Sequence, residues 1–207
     1  MRGLYAIVDP AVCIREPAFV AEQILSGGCA ALQLRDKLST DRELVTLGLE
    51  LARLCRRASV PLILNDRYWL VQEIGASGAH VGQTDTPLPE VRRQLSTEMT
   101  VGVSSHTLGQ ALEAERQGAD VVGFGPVFPT VSKADADPVV GLDRLREVCR
   151  HVRIPVVAIG GINLANAAEV AATGAPLGAA ISALCRAEDI ARAAAELHVS
   201  LGGLRKF

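Results

Sequence analysis

Val60-Pro61-Leu62-Ile63-Leu64-Asn65-Asp66-Arg67 and Ile154-Pro155-Val156-Val157-Ala158-Ile159-Gly160-Gly161 repeat one pattern: a β-branched residue, a proline, a short apolar run, then polar or glycine residues. Proline has no N–H to give a sheet, so it starts a strand rather than sitting in its middle. The run after it is apolar at successive positions instead of alternating, which suits a strand covered on both faces in a parallel sheet. Outward from these two copies, similar runs occur at Leu4–Val8, Ala31–Leu34, Ala79–Val81, Thr100–Val103, Val121–Phe124 and Leu177–Ile181, with strands at Leu62–Leu64 and Val156–Ile159 in the repeats themselves. Between them lie stretches of helical period, as in Asp41–Arg57 and Leu108–Gln117. Several of those stretches end in glycine before the next strand: Gly28-Cys29-Ala30, Gly75-Ala76-Ser77, Gly118-Ala119-Asp120 and Gly174-Ala175. Glycine after a helix adopts the left-handed conformation that turns the chain back. Eight strands over 207 residues leave roughly 26 residues per strand–helix unit, enough for a strand, a short helix and two tight loops. Strand–helix alternation implies an α/β fold with a parallel sheet. Eight units imply a single-domain (β/α)8 TIM barrel spanning 1–207, near the small end of its size range. An open doubly wound sheet is the alternative, usually with fewer units.

Composition narrows the function. Hydrophobic residues are 49% and charged residues 21% of the chain, which excludes a disordered segment. Aromatics are only 3%, so Ala, Val, Leu, Ile and Gly fill the core. The net charge of −2 argues against a nucleic-acid partner. No apolar run has the length of a membrane helix, and the N-terminal residues lack a signal-peptide pattern; a cytoplasmic protein without a membrane partner is expected. The five cysteines are scattered, with no C-x-x-C pair, so reduced thiols are expected rather than disulfides or a zinc site. The Ala-rich helix Asp189–Leu197 has a face for the barrel or for another copy of the chain, which leaves a homo-oligomer open.

Active sites of such barrels lie at the C-terminal ends of the strands. Reading those ends gives Gln33, Arg35, Asp36 and Lys37; Asn65, Asp66 and Arg67; Gln83 and Asp85; Ser104, Ser105, His106 and Thr107; Thr130, Ser132 and Lys133; Gly160 and Gly161; and Ser182. Asp66 and Asp85 follow adjacent strands. Two carboxylates suit Mg²⁺, which completes its shell with phosphate oxygens and water; helix capping is the structural alternative. Ile159-Gly160-Gly161-Ile162 is expected to open a helix with Asn163 near its start. Glycines there let a backbone approach a phosphate; a plain tight turn is the alternative. Arg35, Lys37 and Lys133 can hold a second anion, and three cations around two carboxylates fit a magnesium–diphosphate group. His106 is read as structural or as a general base, and Thr107 as the cap of the helix that follows. No Ser–His–Asp set stands out, no lysine lies inside a strand, and the dinucleotide-binding glycine fingerprint is absent.

Taken together these strand ends resemble those of the thiamine phosphate synthase (thiamine-phosphate pyrophosphorylase) family. The resemblance runs through almost the whole chain, in order. It includes Leu4-Tyr5-Ala6-Ile7-Val8-Asp9, Gln33-Leu34-Arg35-Asp36-Lys37, Leu64-Asn65-Asp66-Arg67 and His80-Val81-Gly82-Gln83-Thr84-Asp85. It continues with Gly102-Val103-Ser104-Ser105-His106-Thr107, Gly123 to Lys133, Ala158-Ile159-Gly160-Gly161-Ile162 and Ile181-Ser182-Ala183-Leu184. It implies a transferase of thiamine biosynthesis that joins a pyrimidine, carried as its methyl diphosphate, to a thiazole phosphate and releases pyrophosphate. It implies Mg²⁺ on Asp66 and Asp85. Gln33, Arg35, Lys37, Asn65 and Lys133 then contact the pyrimidine diphosphate, with Ser104 near the leaving group. Thr130, Ser132, Gly160, Gly161 and the backbone around Ile181 and Ser182 face the thiazole phosphate. Lys133, Ser104 and Arg35 are the residues expected to act in catalysis.

Two departures from the family pattern bear on substrate fit. Gly174-Ala175-Pro176-Leu177-Gly178 places Leu177, or Gly178 after a one-residue shift, where the family has a small residue near the phosphate. Tyr68-Trp69 stands where the family often has Val-Asp, either narrowing the pyrimidine pocket or packing on a helix face. Two other functions share this barrel: a thiazole tautomerase of the related branch, which tends to lose the aspartates and the Gln-x-Arg-x-Lys cluster kept here, and a regulatory module that binds without turnover.

Overall fold

The computed structural model describes residues 1–130 and 137–204. Eight parallel strands close on themselves in chain order: β1 Gly3–Val8, β2 Ala31–Leu34, β3 Leu62–Asn65, β4 Gly78–Val81, β5 Thr100–Ser105, β6 Val121–Phe124, β7 Val156–Ala158 and β8 Leu177–Ala180. Closure is made by β8 pairing with β1, with Leu177 opposite Gly3 and Ala180 opposite Ala6. The expected (β/α)8 barrel is thus the observed one. Strand limits differ by one or two residues. β3 and β5 extend to Asn65 and Ser105, which keeps Ser104 inside the sheet, while Ile159 and Ile181 lie just beyond the ends of β7 and β8.

Alternation along each strand divides the core in two. Leu32, Leu34, Leu62, Leu64, Val101, Val103 and Phe124 point outward beneath the helices. Tyr5, Ile7, Ala31, Ile63, Val121, Val157, Leu177 and Ala179 fill the barrel interior. Both sets are buried, which is why the strand sequences are continuously apolar.

The helices are α1 Pro17–Gly27, α2 Asp41–Ala58, α3 Val71–Ile74 after a 3₁₀ turn at Tyr68–Leu70, α4 Leu88–Gln94, α5 Leu108–Arg116, α6 Gly141–His151, α7 Ala167–Ala171, α8 Ser182–Cys185 and α9 Ile190–Ser200. Capping fixes where α2 and α5 start. Thr40 and Glu43 cap α2 reciprocally, and Thr107 and Gln110 do the same for α5. Helix α9 packs against α1 on the barrel. Its approach is so close that a Cβ on Gly27 would lie 2.1 Å from the Ala191 carbonyl oxygen.

The two doubtful positions are settled by the fold. Leu177 opens β8 at the end of the barrel opposite the mouth, buried against the interior cluster, and Gly178 faces outward, where a Cβ would lie 2.5 Å from Leu201 Cδ2. Neither lines the cavity at the mouth, because residues early in a strand lie at the bottom face. Tyr68 is buried beneath the helices and accepts a hydrogen bond from Gln94 Nε2 at 3.0 Å. Trp69 is half-exposed and donates to Asp41 Oδ2 at 3.0 Å. Neither lines the central cavity.

Candidate active site

The strand ends open onto a cavity of about 490 Å³. Gln33, Arg35 and Lys37 enter it from β2 and its loop; Asn65 and Asp66 from β3; Asp85 from the loop after β4; and Ser104 from β5. Thr130, Gly160, Gly161, Ile181 and Ser182 line the other side. Every expected site residue within the described part of the chain therefore reaches one cavity. Ser132 and Lys133 lie outside the described residues.

Arg35 is held at the cavity edge by an ion pair with the buried carboxylate of Asp9, which follows β1. Burial of one partner makes this pair worth more than a surface bridge, since removing either leaves a charge uncompensated. Asp9 Oδ1 also accepts the Ala11 N–H at 3.0 Å, so the carboxylate is fixed from two sides. The loop carrying Lys37 is shaped by Asp36, whose Oδ1 accepts the backbone N–H groups of Leu38 and Ser39, each at 3.0 Å. Arg67 braces the same loop from outside by donating to the Ser39 carbonyl at 2.6 Å and to Asp41.

Asp66 adopts φ +58°, a left-handed conformation available to Asp at a tight turn, and its N–H donates to the His80 carbonyl at 2.8 Å. Its carboxylate faces that of Asp85. Burial and then the Asp85 charge push the Asp66 carboxyl above the usual carboxylate range, while Lys37, with Nζ at 3.2 Å, pulls it back. Asp85 is pinned by the Gly82 N–H, which donates to Oδ2 at 2.7 Å. Two facing carboxylates compensated by one exposed lysine are short of positive charge. Hard oxygen donors in that state suit a divalent cation whose remaining ligands come from substrate and water.

Two residues beyond the expected set shape the interior. Tyr5 lies under Gln33 and accepts a hydrogen bond from Gln33 Nε2 at 2.9 Å; burial pushes its hydroxyl well above the usual tyrosine range, so it stays neutral. His80 is buried inside the barrel with Nε2 3.0 Å from Ser104 Oγ, and its Nδ1 has no hydrogen-bond partner. Burial lowers its pKa to about 4, against a smaller opposing pull from Asp85, so the ring is neutral at pH 7. An orphaned buried N–H is rarer than an orphaned acceptor, so we assign the proton to Nε2. His80 then donates to Ser104 Oγ, and the Ser104 proton is free to point into the cavity. Space for the ring comes from Gly102 and Gly123. A Cβ on Gly102 would lie 2.3 Å from His80 Nδ1, and one on Gly123 3.1 Å from Cε1. His80 and Tyr5 carried a sequence signal: each is a polar residue in phase with the inward side of its strand. Asp9 carried another, as the first polar residue after β1.

His106 lines the cavity, but its contacts are those of a brace. Its Nδ1 donates to the Gly125 carbonyl at 2.6 Å and its Nε2 lies 3.2 Å from Asp137 Oδ2, so it ties β5 to the two ends of the loop that follows β6. This favours the structural reading of His106.

Gly160 and Gly161 have φ of +100° and +66°. The loop after β6 presses on both: a Cβ on Gly160 would lie 2.5 Å from Pro126 Cα, and one on Gly161 2.4 Å from the Pro129 carbonyl oxygen. These glycines thus bring two mouth loops together. The helix does not open at Ile162 as expected. Asn163 starts a turn, with its Oδ1 accepting the Ala165 N–H at 2.9 Å, and α7 begins only at Ala167. One asparagine turn accounts for the delay: besides the Asn163 bond to Ala165, Asn166 Oδ1 reaches back to accept the Asn163 N–H at 2.9 Å.

In architecture and site, the molecule is a (β/α)8 barrel whose mouth gathers cations, carboxylates, hydroxyls and glycines around one cavity. A family profile described as thiamine monophosphate synthase matches residues 4–184. A thiamine-phosphate synthase of Methanocella arvoryzae is 46% identical over 204 residues, covering 98% of this chain and 96% of that protein. One of Chloroflexus aurantiacus is 45% identical over 196 residues, covering 94% and 90%. The solved thiamine phosphate pyrophosphorylase of Pyrococcus furiosus superposes with a TM-score of 0.88 at 37% identity, covering 96% of this chain and 95% of that one. The chain belongs to the thiamine monophosphate synthase family.

Proposed function

We propose that this cavity carries out thiamine phosphate synthesis, joining 4-amino-5-hydroxymethyl-2-methylpyrimidine diphosphate to thiazole phosphate with release of pyrophosphate. The observation that carries this reading is the division of one cavity into two walls. Arg35, Lys37, Asn65, Ser104 and the two aspartates form one wall, and Thr130, Gly160, Gly161, Ile181 and Ser182 form the other. Two phosphorylated substrates need two such subsites facing each other.

The chemistry follows from the substrates and from the residues present. The bond between the pyrimidine methylene carbon and the diphosphate oxygen breaks, and its electron pair leaves with pyrophosphate. The electron-rich aminopyrimidine spreads the resulting positive charge. The thiazole nitrogen lone pair then forms the new C–N bond. No step needs a protein nucleophile or strong base.

Arg35, fixed by Asp9, presents planar donors to the departing diphosphate, and Lys37 adds a point charge. Ser104, oriented by His80, donates a hydrogen bond to a diphosphate oxygen as charge develops there. Gln33, set by Tyr5, and Asn65 hold the pyrimidine side. Lys133 and Ser132, assigned from sequence, add a cation and a hydroxyl from the loop after β6. Asp66 and Asp85 would hold Mg²⁺, which when bound would neutralise the diphosphate and ease its departure. Placing the thiazole nitrogen against the methylene carbon supplies the rest of the rate.

The test is pyrophosphate release from purified protein with both substrates, with and without Mg²⁺. Release that requires both substrates and the metal, with thiamine phosphate formed, is the expected result. Saturable thiazole phosphate binding without release would overturn the reading in favour of the tautomerase or the binding module.

A further inference from the structure

We propose that Cys13 and Cys185 are a redox-modification site: they form a reversible disulfide that restrains the corner holding Arg35. Cys13 lies in the turn after β1, where its N–H donates to the Asp9 carbonyl at 3.0 Å. Cys185 ends α8, with its Sγ 3.6 Å from the Ile7 carbonyl oxygen. The Ile14 N–H donates to the Cys185 carbonyl at 3.3 Å, so the two backbones are already joined beside the thiols. The two thiols lie near enough to perturb one another's titration, and both sulfurs also meet the Asp9 backbone. Cys13 is partly exposed and Cys185 is buried, so the pair is reached from the Cys13 side. Their interaction lowers the pKa of Cys185 and raises that of Cys13. Such a pair supplies one thiolate-like sulfur and one thiol held ready to resolve it.

The oxidant is a peroxide. One sulfur, as thiolate, attacks a peroxide oxygen; the S–O bond forms, the O–O bond breaks, and hydroxide leaves and is protonated to water. The second thiol loses its proton and attacks the oxidised sulfur. The S–S bond forms and the oxygen departs as a second water. Two thiols are oxidised and one peroxide is reduced.

The consequence for the site follows from position. Asp9 sits at the base of the Cys13 turn and holds Arg35, while Ser182, at the other end of α8 from Cys185, lines the cavity. A disulfide bonds the sulfurs at roughly 2 Å, so the turn and α8 are tethered at one separation. Both ends of that tether carry groups of the site. This consequence rests on the reading of Arg35 given above.

The experiment uses the reduced full chain exposed to hydrogen peroxide, then denatured, alkylated, digested and analysed by mass. Five alkylatable cysteines should fall by two, with a peptide linking Cys13 to Cys185. Pyrophosphate release should fall by roughly fivefold or more, and dithiothreitol should restore it. Cys13→Ser and Cys13→Ala should keep their activity through the same exposure. Absence of the linked peptide overturns the proposal. Linked protein that turns over at the rate of the reduced enzyme overturns the coupling to Arg35. The mass readout does not depend on activity, so failure of the disulfide is distinguishable from failure of the Arg35 assignment, which Arg35→Ala tests separately.

Discussion

Replacing Gly102 by alanine puts a methyl group where His80 now lies. The new Cβ would sit 2.3 Å from His80 Nδ1 and 2.9 Å from Val121 Cγ1. Ordinary van der Waals contact begins near 3.4 Å, so the ring must retreat by about 1 Å in a closely packed barrel. The backbone itself is content with alanine, because Gly102 is in an extended strand. Overpacking of this kind costs about 1–3 kcal/mol. Opening the 3.0 Å contact between His80 Nε2 and Ser104 Oγ adds about 0.5–1.5 kcal/mol. The gain from removing a strand glycine is roughly 0.5–1 kcal/mol and does not cancel these. A net loss of about 1–3 kcal/mol lowers the melting temperature of a domain this size by roughly 3–10 °C. Loss of the Ser104 orientation should lower kcat roughly 10- to 100-fold. Thermal melts followed by circular dichroism, with pyrophosphate release measured on the same preparation, test both effects. A variant that melts within about 1 °C of the parent and keeps its kcat would refute both the packing of His80 and its control of Ser104.

Gly109→Ala is the contrasting substitution. Gly109 is exposed in α5 with only Thr107 Oγ1 at 3.9 Å, so the protein should gain up to about 1 kcal/mol in urea unfolding. Leu177→Ala should lose about 2–5 kcal/mol of stability, with the KM for thiazole phosphate unchanged in steady-state assays, because Leu177 is core at the bottom of the barrel. Arg35→Ala should raise the KM for the pyrimidine diphosphate by tenfold or more, a loss of at least about 1.4 kcal/mol. Asp9→Asn should move the KM the same way and by less, since it acts through Arg35; an unchanged KM would remove Asp9 as a positioning residue. Asp66→Asn should abolish the stimulation by Mg²⁺, measured as pyrophosphate release across a metal titration, and a chelator should do the same to the parent protein until Mg²⁺ is restored.

Much of the fold was legible because its signals are local. Proline before a strand, glycine after a helix and Thr107 at a helix start each act within a few residues. Together with eight short apolar runs they count out the barrel, and the barrel's geometry places the strand ends together. That is why Gln33, Arg35, Lys37, Asn65, Asp66, Asp85 and Ser104 could be assigned to one mouth before any contact was known. The tertiary structure alone decided which of these side chains are held and by what. Asp9 meets Arg35, Tyr5 meets Gln33 and His80 meets Ser104 only because neighbouring strands pair in a given register. It also decided that Leu177 points into the bottom of the barrel, that Trp69 belongs to the α2 surface, and that Gly160 and Gly161 answer to Pro126 and Pro129. Residues distant in sequence acquire partners only when the sheet closes; until then, neither the space around a glycine nor the partner of a buried charge is defined.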